Sequence, residues 1–215
     1  MVTPPPDEGA PLAIPTERGP ISCRYHPCPD PVGAVLLVGG FDGGFDGPAD
    51  GLYPDLAHDL LPLGIATLRL DFRLHTSPGN VDEGTYDVLQ GLAFLEGQGV
   101  ARVGLVGHSF GAAVAINAGA RSPLVTTVVT LSAQTYGTRL VNKLSPRPLL
   151  LIHGADDQRL PPSCSEYLYA RALEPKELVI LPGTRHSLRQ RREEVRRRVV
   201  AWLARHLRPA ASVPE

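Results

Sequence analysis

The chain has 215 residues, of which 43% are hydrophobic, and a formal net charge of -1 at pH 7. This length and apolar content predict one domain over residues 1–215, with flexible tails at 1–10 and 209–215. A nearly neutral chain has no overall field to attract nucleic acid or an anionic membrane. No run reaches the roughly 18 apolar residues of a membrane span. We therefore expect neither nucleic acid nor membrane as a partner.

Residues 1–10 are proline-rich and acidic, without the basic and apolar regions of a secretory signal, so a cytoplasmic location is expected. Cys23, Cys28 and Cys164 are odd in number and show neither C-x-x-C nor metal-ligand spacing. The cysteines are predicted to be reduced, with a Cys23–Cys28 bridge as the lesser alternative.

Strand and helix patterns alternate along the chain. Predicted strands cover residues 12–14, 21–25, 34–38, 65–70, 103–106, 127–131, 149–152 and 178–181. Five helices are predicted. The first is amphipathic and carries Tyr53, Leu56, Ala57, Leu60 and Leu61, the second lies near 83–96, and the third follows residue 109. The fourth runs from a capping box of Ser163 and Glu166 to about Leu173, and the fifth has the buried stripe Val195, Val199, Trp202 and Leu203. Eight strands interleaved with helices predict a doubly wound, mostly parallel α/β sheet whose first two strands form an antiparallel edge hairpin.

One pentapeptide, Gly107-His108-Ser109-Phe110-Gly111, reads G-x-S-x-G and lies between an apolar strand and a stretch of small residues. A strand that turns into a helix within one residue strains that residue and leaves no room for side chains two positions away, which explains the glycines. The pattern predicts a nucleophile elbow that exposes Ser109 at the top of the sheet.

A serine nucleophile needs a histidine base and an acid that orients the base. The sequence has no carboxylate between Glu96 and Asp156, so Asp156 and Asp157 are the first acids after Ser109. Both follow the strand at 149–152, and His186 follows the next strand. Ser, acid and His thus all lie just past the carboxyl ends of strands, the edge where open α/β sheets place their sites.

With these residues in place, the chain resembles the α/β-hydrolases over nearly all its length, in particular small, lidless serine esterases and dienelactone-hydrolase-like members. The stretch H-G-x-x-D-x-x-L-P from His153 is similar to the family's acid loop, and the resemblance assigns the acid to Asp157. The sequence D-F-R-L-H at 71–75 resembles the D-x-R-G-H loop, with Leu74 in place of Gly. The sequence L-V-G-G-F at 37–41 resembles the H-G-x oxyanion loop, with Gly39 in place of His.

The resemblance implies a Ser109, Asp157 and His186 triad without a metal or cofactor. It also implies oxyanion donors at the backbone N–H groups of Phe41 and Phe110. Residues that could line the site are Gly40, His75, His108 and Gln134.

Many hydrolases insert a lid between the sixth and seventh strands, but this chain has only residues 132–147 there. That segment is too short for a cap domain, which predicts an open site unless another subunit of a homo-oligomer covers it.

Two other patterns favour ordinary roles. The glycine-rich run at 39–47 lacks both G-x-G-x-x-G spacing and a G-K-[ST] ending, so it indicates backbone donors beside a substrate oxygen rather than a nucleotide site.

The arginines at 185–208 flank an apolar helical stripe without interleaved aromatic residues, which favours a solvated helix face over nucleic-acid binding.

The sequence therefore predicts a Ser-His-Asp hydrolase that cleaves small carboxylic esters, with preference for short acyl groups, through an acyl-enzyme. A thioesterase acting on acyl-CoA or a carrier-bound acyl group, or a peptidase, would use the same triad and stays open. A non-catalytic binding protein on this scaffold is the remaining alternative.

Overall fold

The computed structural model describes residues 8–75 and 80–207, and these residues form an eight-stranded sheet of order β1-β2-β4-β3-β5-β6-β7-β8. The strands are β1 (Ala10–Ile14), β2 (Ile21–His26), β3 (Gly33–Val38), β4 (Ile65–Leu70), β5 (Val103–His108), β6 (Val125–Leu131), β7 (Leu149–Gly154) and β8 (Lys176–Leu181). The β1–β2 and β2–β4 pairs are antiparallel and the other pairs are parallel. The predicted mostly parallel sheet with an edge hairpin is confirmed.

Helices cover both faces of the sheet: α1 (Pro48–Leu60), α2 (Val81–Gly97), α3 (Phe110–Arg121), α4 (Ser163–Arg171) and α5 (Arg192–Leu207). Side chains of a strand alternate between faces, so β3 contributes to two cores. Val35 and Leu37 belong to the core beneath α1 and α5, whereas Leu36 and Val38 belong to the core beneath α2 and α3. This layering holds the carboxyl ends of the parallel strands along one edge.

The predicted capping box of α4 is wrong. Pro162 has helical dihedral angles (φ -58°, ψ -23°) and takes the N-cap position, without a side-chain capping hydrogen bond. Ser163 is therefore already inside the helix, too late to cap it. The helix ends at Arg171 rather than near Leu173 because Ala172 is extended.

The beginning of α1 is irregular in a way that the amphipathic pattern did not indicate. Ala49, Asp50 and Gly51 have left-handed φ angles of 56°, 55° and 95°, so regular helix follows Gly51. The N–H group of Ala49 donates to the carbonyl oxygen of Ser187 at 2.8 Å. The irregular turn thereby joins α1 to the loop after β8.

The arginines of α5 pair with carboxylates of α1. Arg196 Nε lies 2.6 Å from Asp59 Oδ2, and Arg192 contacts Asp55 in the same way. These two arginines are thus partly neutralised within the chain, which supports a helix-packing role over nucleic-acid binding.

The segment between β6 and β7 is short, and its helical content is one 3₁₀ turn, Val141–Lys143.

Cys23, Cys28 and Cys164 are all free thiols, and burial raises the pKa of Cys23 to about 12. Within residues 8–75 and 80–207, no helix has the length and apolarity that crossing a bilayer requires. Of the predicted tails, 1–7 and 209–215 lie outside the described residues, and Ala10 already begins β1.

Candidate active site

Ser109 lies in a tight turn between β5 and α3. Its dihedral angles, φ 55° and ψ -114°, are unusual for a residue with a side chain. A Cβ atom at Gly107 would overlap the carbonyl oxygen of Gly111, and one at Gly111 would overlap that of Gly39. The Ser109 N–H group donates to Leu131 at the end of β6 (2.9 Å), which ties the turn to the sheet. The local geometry is that of a nucleophile elbow.

Asp157 lies in the loop after β7 and its side chain is fully buried. Its Oδ1 atom accepts hydrogen bonds from the backbone N–H groups of Arg159 and Leu160, both at 2.9 Å. The neighbouring Asp156 is exposed. Asp156 contributes its backbone N–H to the carbonyl oxygen of Thr184 at 2.9 Å, which joins the loops after β7 and β8.

His186, in the loop after β8, lies 2.7 Å from Asp157, measured between Nδ1 and Oδ2. An ionised carboxylate only accepts, so Nδ1 carries the proton and Nε2 is left as the basic nitrogen. Asp157, not Asp156, is the carboxylate that contacts His186. The three candidate residues follow β5, β7 and β8 and reach the same edge of the sheet.

Two pKa shifts bear on the site. Burial raises the pKa of Asp157, but hydrogen bonds from Leu160, His186 and Arg159 outweigh burial and hold this pKa below its ordinary value. Burial, and then charge repulsion by His186, lower the pKa of His108 to about 4. At neutral pH the site therefore holds an ionised Asp157 and a neutral His108.

His108 supports the His186 loop. Its Nε2 atom lies 3.2 Å from the backbone oxygen of His186 and therefore donates to it, and the two rings are 4.9 Å apart. This contact links the residue before Ser109 to the loop that carries the base.

The predicted oxyanion loop lies against the elbow. A Cβ atom at Gly40 would be 3.7 Å from Ser109 Cβ, so the backbone passes close to the hydroxyl. Asp71 Oδ1 accepts from the N–H group of Gly44 at 2.7 Å, and the buried hydroxyl of Tyr53 donates to the Val38 carbonyl at 2.6 Å. These contacts hold the loop that contains Gly39 and Gly40 in place.

An open groove of about 1200 Å³ runs along this edge, and its lining includes Gly40, Phe41, His108, Ser109, Gln134 and His186. His75, expected as a lining residue, is not part of this groove. Its Nε2 atom instead lies 2.6 Å from the Phe72 carbonyl oxygen and 3.0 Å from Asp71 Oδ1, beside the oxyanion loop. Among residues 8–75 and 80–207, no group of three or more His, Cys, Asp or Glu side chains is arranged to hold a metal ion.

Sequence reasoning predicted neither the contact of His153 with Asp157 nor the contact of Ser165 with His153. His153 Nε2 lies 3.1 Å from Asp157 Oδ2, and His153 Nδ1 lies 2.7 Å from Ser165 Oγ on α4. The His of H-G-x-x-D was the available signal, but nothing in the sequence connected it to Ser165.

Comparisons with known proteins agree with this architecture. The model of the prolyl oligopeptidase family matches residues 130–210, which include Asp157 and His186. The uncharacterized protein Rv2307c of Mycobacterium tuberculosis is 32% identical over 166 residues, a match that covers 62% of this chain and 57% of Rv2307c. Matches cover between 12% and 57% of the lengths of the relatives found, so this chain corresponds to part of each.

Solved structures are similar over nearly the whole chain. A dienelactone hydrolase from Anabaena variabilis has a TM-score of 0.81 at 19% identity, with 94% of this chain and 100% of that chain covered. The protein XC6422 from Xanthomonas campestris, described as an α/β serine hydrolase without a lid, has a TM-score of 0.78 at 21% identity, with 96% and 98% covered. With the observed topology, these likenesses show that the chain has the α/β-hydrolase fold. No cap domain interrupts the described chain between β6 and β7.

Proposed function

We propose that this protein is a serine hydrolase that cleaves carboxylic esters with short acyl groups. The observation that carries the proposal is the 2.7 Å contact between the buried Asp157 Oδ2 and Nδ1 of His186, a residue that lines the same groove as Ser109 on its strained turn. A buried carboxylate on one imidazole nitrogen leaves the other nitrogen to accept the serine proton.

In the proposed reaction, Ser109 Oγ attacks the acyl carbon while His186 Nε2 takes the hydroxyl proton. The backbone N–H groups of Phe41 and Phe110 donate to the oxygen that becomes negative in the tetrahedral intermediate. Collapse of this intermediate expels the alcohol, which takes the proton from His186. Water, deprotonated by His186, then attacks the acyl-enzyme and releases the carboxylic acid.

The second candidate is a peptidase, favoured by the match of residues 130–210 to the prolyl oligopeptidase family model. That segment contains Asp157 and His186 but not the Ser109 turn. A thioesterase would use the same groups. A cytoplasmic location, a small ester or thioester substrate and a possible homo-oligomer stay predictions.

A substrate panel separates these activities. Purified protein is assayed with p-nitrophenyl acetate, butyrate and palmitate, with acetyl-CoA and palmitoyl-CoA, and with p-nitroanilides of alanine and proline, beside a Ser109→Ala control. We expect the highest kcat/KM on the short esters and no turnover by the control. Higher kcat/KM on the anilides or on the CoA thioesters would replace the esterase proposal, and no turnover of any substrate would favour a binding protein.

A further inference from the structure

The carboxylate of Asp157 receives hydrogen bonds from four directions within a dry part of the protein. The N–H groups of Arg159 and Leu160 occupy Oδ1, whereas His186 and His153 both approach Oδ2. The side chains of Asp157 and His153 are both fully buried, so water cannot replace a lost donor. A carboxylate with about four lone-pair sites is held in one orientation when all are used.

The protonation of His153 follows from its neighbours. Its Nε2 atom lies 3.1 Å from Asp157 Oδ2 and 2.9 Å from the carbonyl oxygen of Leu160. Both neighbours accept hydrogen bonds, so Nε2 must carry a proton. Burial lowers the pKa of His153, which keeps the ring neutral at pH 7 and leaves Nδ1 as an acceptor.

Ser165 completes the arrangement. It is buried on α4, and its Oγ atom lies 2.7 Å from His153 Nδ1. Because Nδ1 is unprotonated, the Ser165 hydroxyl is the donor and favours the tautomer in which Nε2–H is shared between Asp157 Oδ2 and the Leu160 carbonyl oxygen. The contacts thus connect α4 to His186 in the order Ser165, His153, Asp157, His186.

We propose that His153 is a positioning residue for the acid of the active site, and that Ser165 fixes the tautomer in which His153 donates to Asp157. This inference rests on the triad proposed above. In this role, His153 holds Asp157 Oδ2 toward His186 and shares the negative charge of the carboxylate. The orientation of His186 therefore depends on α4, a helix that contributes no residue to the reacting atoms.

Four substitutions test the role. Ser165→Ala removes the donor to Nδ1, and Ser163→Ala, at an exposed serine two residues earlier in α4, is the matched control. His153→Phe keeps a planar ring without hydrogen bonds, and His153→Gln keeps an N–H donor of similar reach. Active sites are counted with a fluorophosphonate, so that kcat refers to folded, reactive molecules only.

We expect Ser165→Ala and His153→Phe to lower kcat by about 10-fold with KM unchanged, as the loss of one buried hydrogen bond implies. His153→Gln should recover most of the activity, and Ser163→Ala should match wild type. Wild-type kcat per active site in Ser165→Ala, or an equal loss in Ser163→Ala, overturns the proposal. If His153→Phe does not fold, the other three variants still decide.

A spectroscopic readout is independent of turnover. In protein with ¹⁵N-labelled histidine at pH 7, the two ring nitrogens of His153 should report a neutral ring with the proton on Nε2, and Ser165→Ala should change the Nδ1 shift. A His153 that is protonated on Nδ1, or on both nitrogens, contradicts the proposal whether or not Ser109 is the nucleophile. If the proposed triad is wrong, Ser109→Ala would instead keep the activity of wild type.

Discussion

Asp157 Oδ2 lies 2.7 Å from His186 Nδ1, although the two residues are 29 positions apart in the chain. Each follows a parallel strand, and β7 and β8 are neighbours in the sheet, so the topology places both loops at one edge. The hydrogen bond from Asp156 N–H to the Thr184 carbonyl then fixes the separation of the loops.

Replacement of the acid tests this contact. Asp157→Asn should lower kcat about 10⁴-fold, because the amide favours the wrong imidazole tautomer of His186. Asp156→Asn is the matched control: its side chain is exposed, and the backbone bond to Thr184 is kept, so kcat should stay near wild type. Steady-state kinetics on p-nitrophenyl butyrate measure kcat of both variants. A larger loss of kcat in Asp156→Asn would assign the role of the acid to Asp156 instead.

The close approach of the elbow and the oxyanion loop gives a second prediction. A methyl group at Gly111 meets the carbonyl oxygens of Gly39 and Val38. The substitution Gly111→Ala must therefore push the predicted oxyanion loop away from the turn at Ser109. We expect a loss of about 1–3 kcal/mol in unfolding free energy from overpacking and a fall in kcat of about 100-fold through a displaced oxyanion donor.

Gly97→Ala is the control for this substitution. Gly97 ends α2 with open space around its Cα, and alanine favours helix by about 0.5–1 kcal/mol over glycine. Urea unfolding should show Gly97→Ala at or above wild-type stability with full activity. Equal stability and activity in both variants would mean that the two loops do not touch.

Two histidines with lowered pKa values, His108 and His153, predict how stability depends on pH. The pKa of His108 in the folded protein is about 4, below the ordinary value of 6.5. Between these values the unfolded chain binds a proton that the folded protein does not, so the unfolding free energy falls as pH drops from 7 to 4. The lowered pKa of His153 acts in the same direction.

His108→Gln removes the titrating ring while it keeps an N–H donor, and it should reduce this fall by about 3 kcal/mol. His58→Asn, at an exposed position of α1, is the control substitution. Chemical unfolding at pH 7, 5.5 and 4 measures the difference, and parallel curves for wild type and His108→Gln would disprove it.

The open groove predicts a limited range of acyl lengths. The short segment between β6 and β7 offers few side chains to close over an alkyl chain, and each CH₂ group left in water forgoes about 0.8 kcal/mol. We expect kcat/KM to be highest for acyl groups of about two to six carbons and to fall beyond them. A steady rise from butyrate to palmitate esters, measured below the micelle threshold, would contradict the open site.

Local patterns predicted much of this protein because their causes are local. The elbow could be recognised because the strain at Ser109 and the crowding at Gly107 and Gly111 involve a few consecutive residues. The mostly parallel sheet with an antiparallel edge hairpin followed from the alternation of strand and helix patterns. Strand boundaries were less certain, and β6 begins at Val125, two residues before its predicted start.

Contacts between distant segments could not be predicted in this way. The left-handed turn at Ala49 is stabilised by Ser187, far away in sequence. Ser165 meets His153 only because helical geometry already at Pro162 sets where α4 begins. Such contacts depend on the assembled sheet and not on spacing.

The most direct test of the proposed activity is covalent labelling of Ser109. Wild-type protein, Ser109→Ala and Ser187→Ala are treated with a fluorophosphonate, and the modified peptide is mapped by mass spectrometry; Ser187 is another serine of the same groove. We predict one adduct per chain on Ser109 with parallel loss of ester turnover, the same adduct in Ser187→Ala, and neither adduct nor turnover in a folded Ser109→Ala. An adduct on another serine, or substantial turnover by Ser109→Ala, would contradict the account.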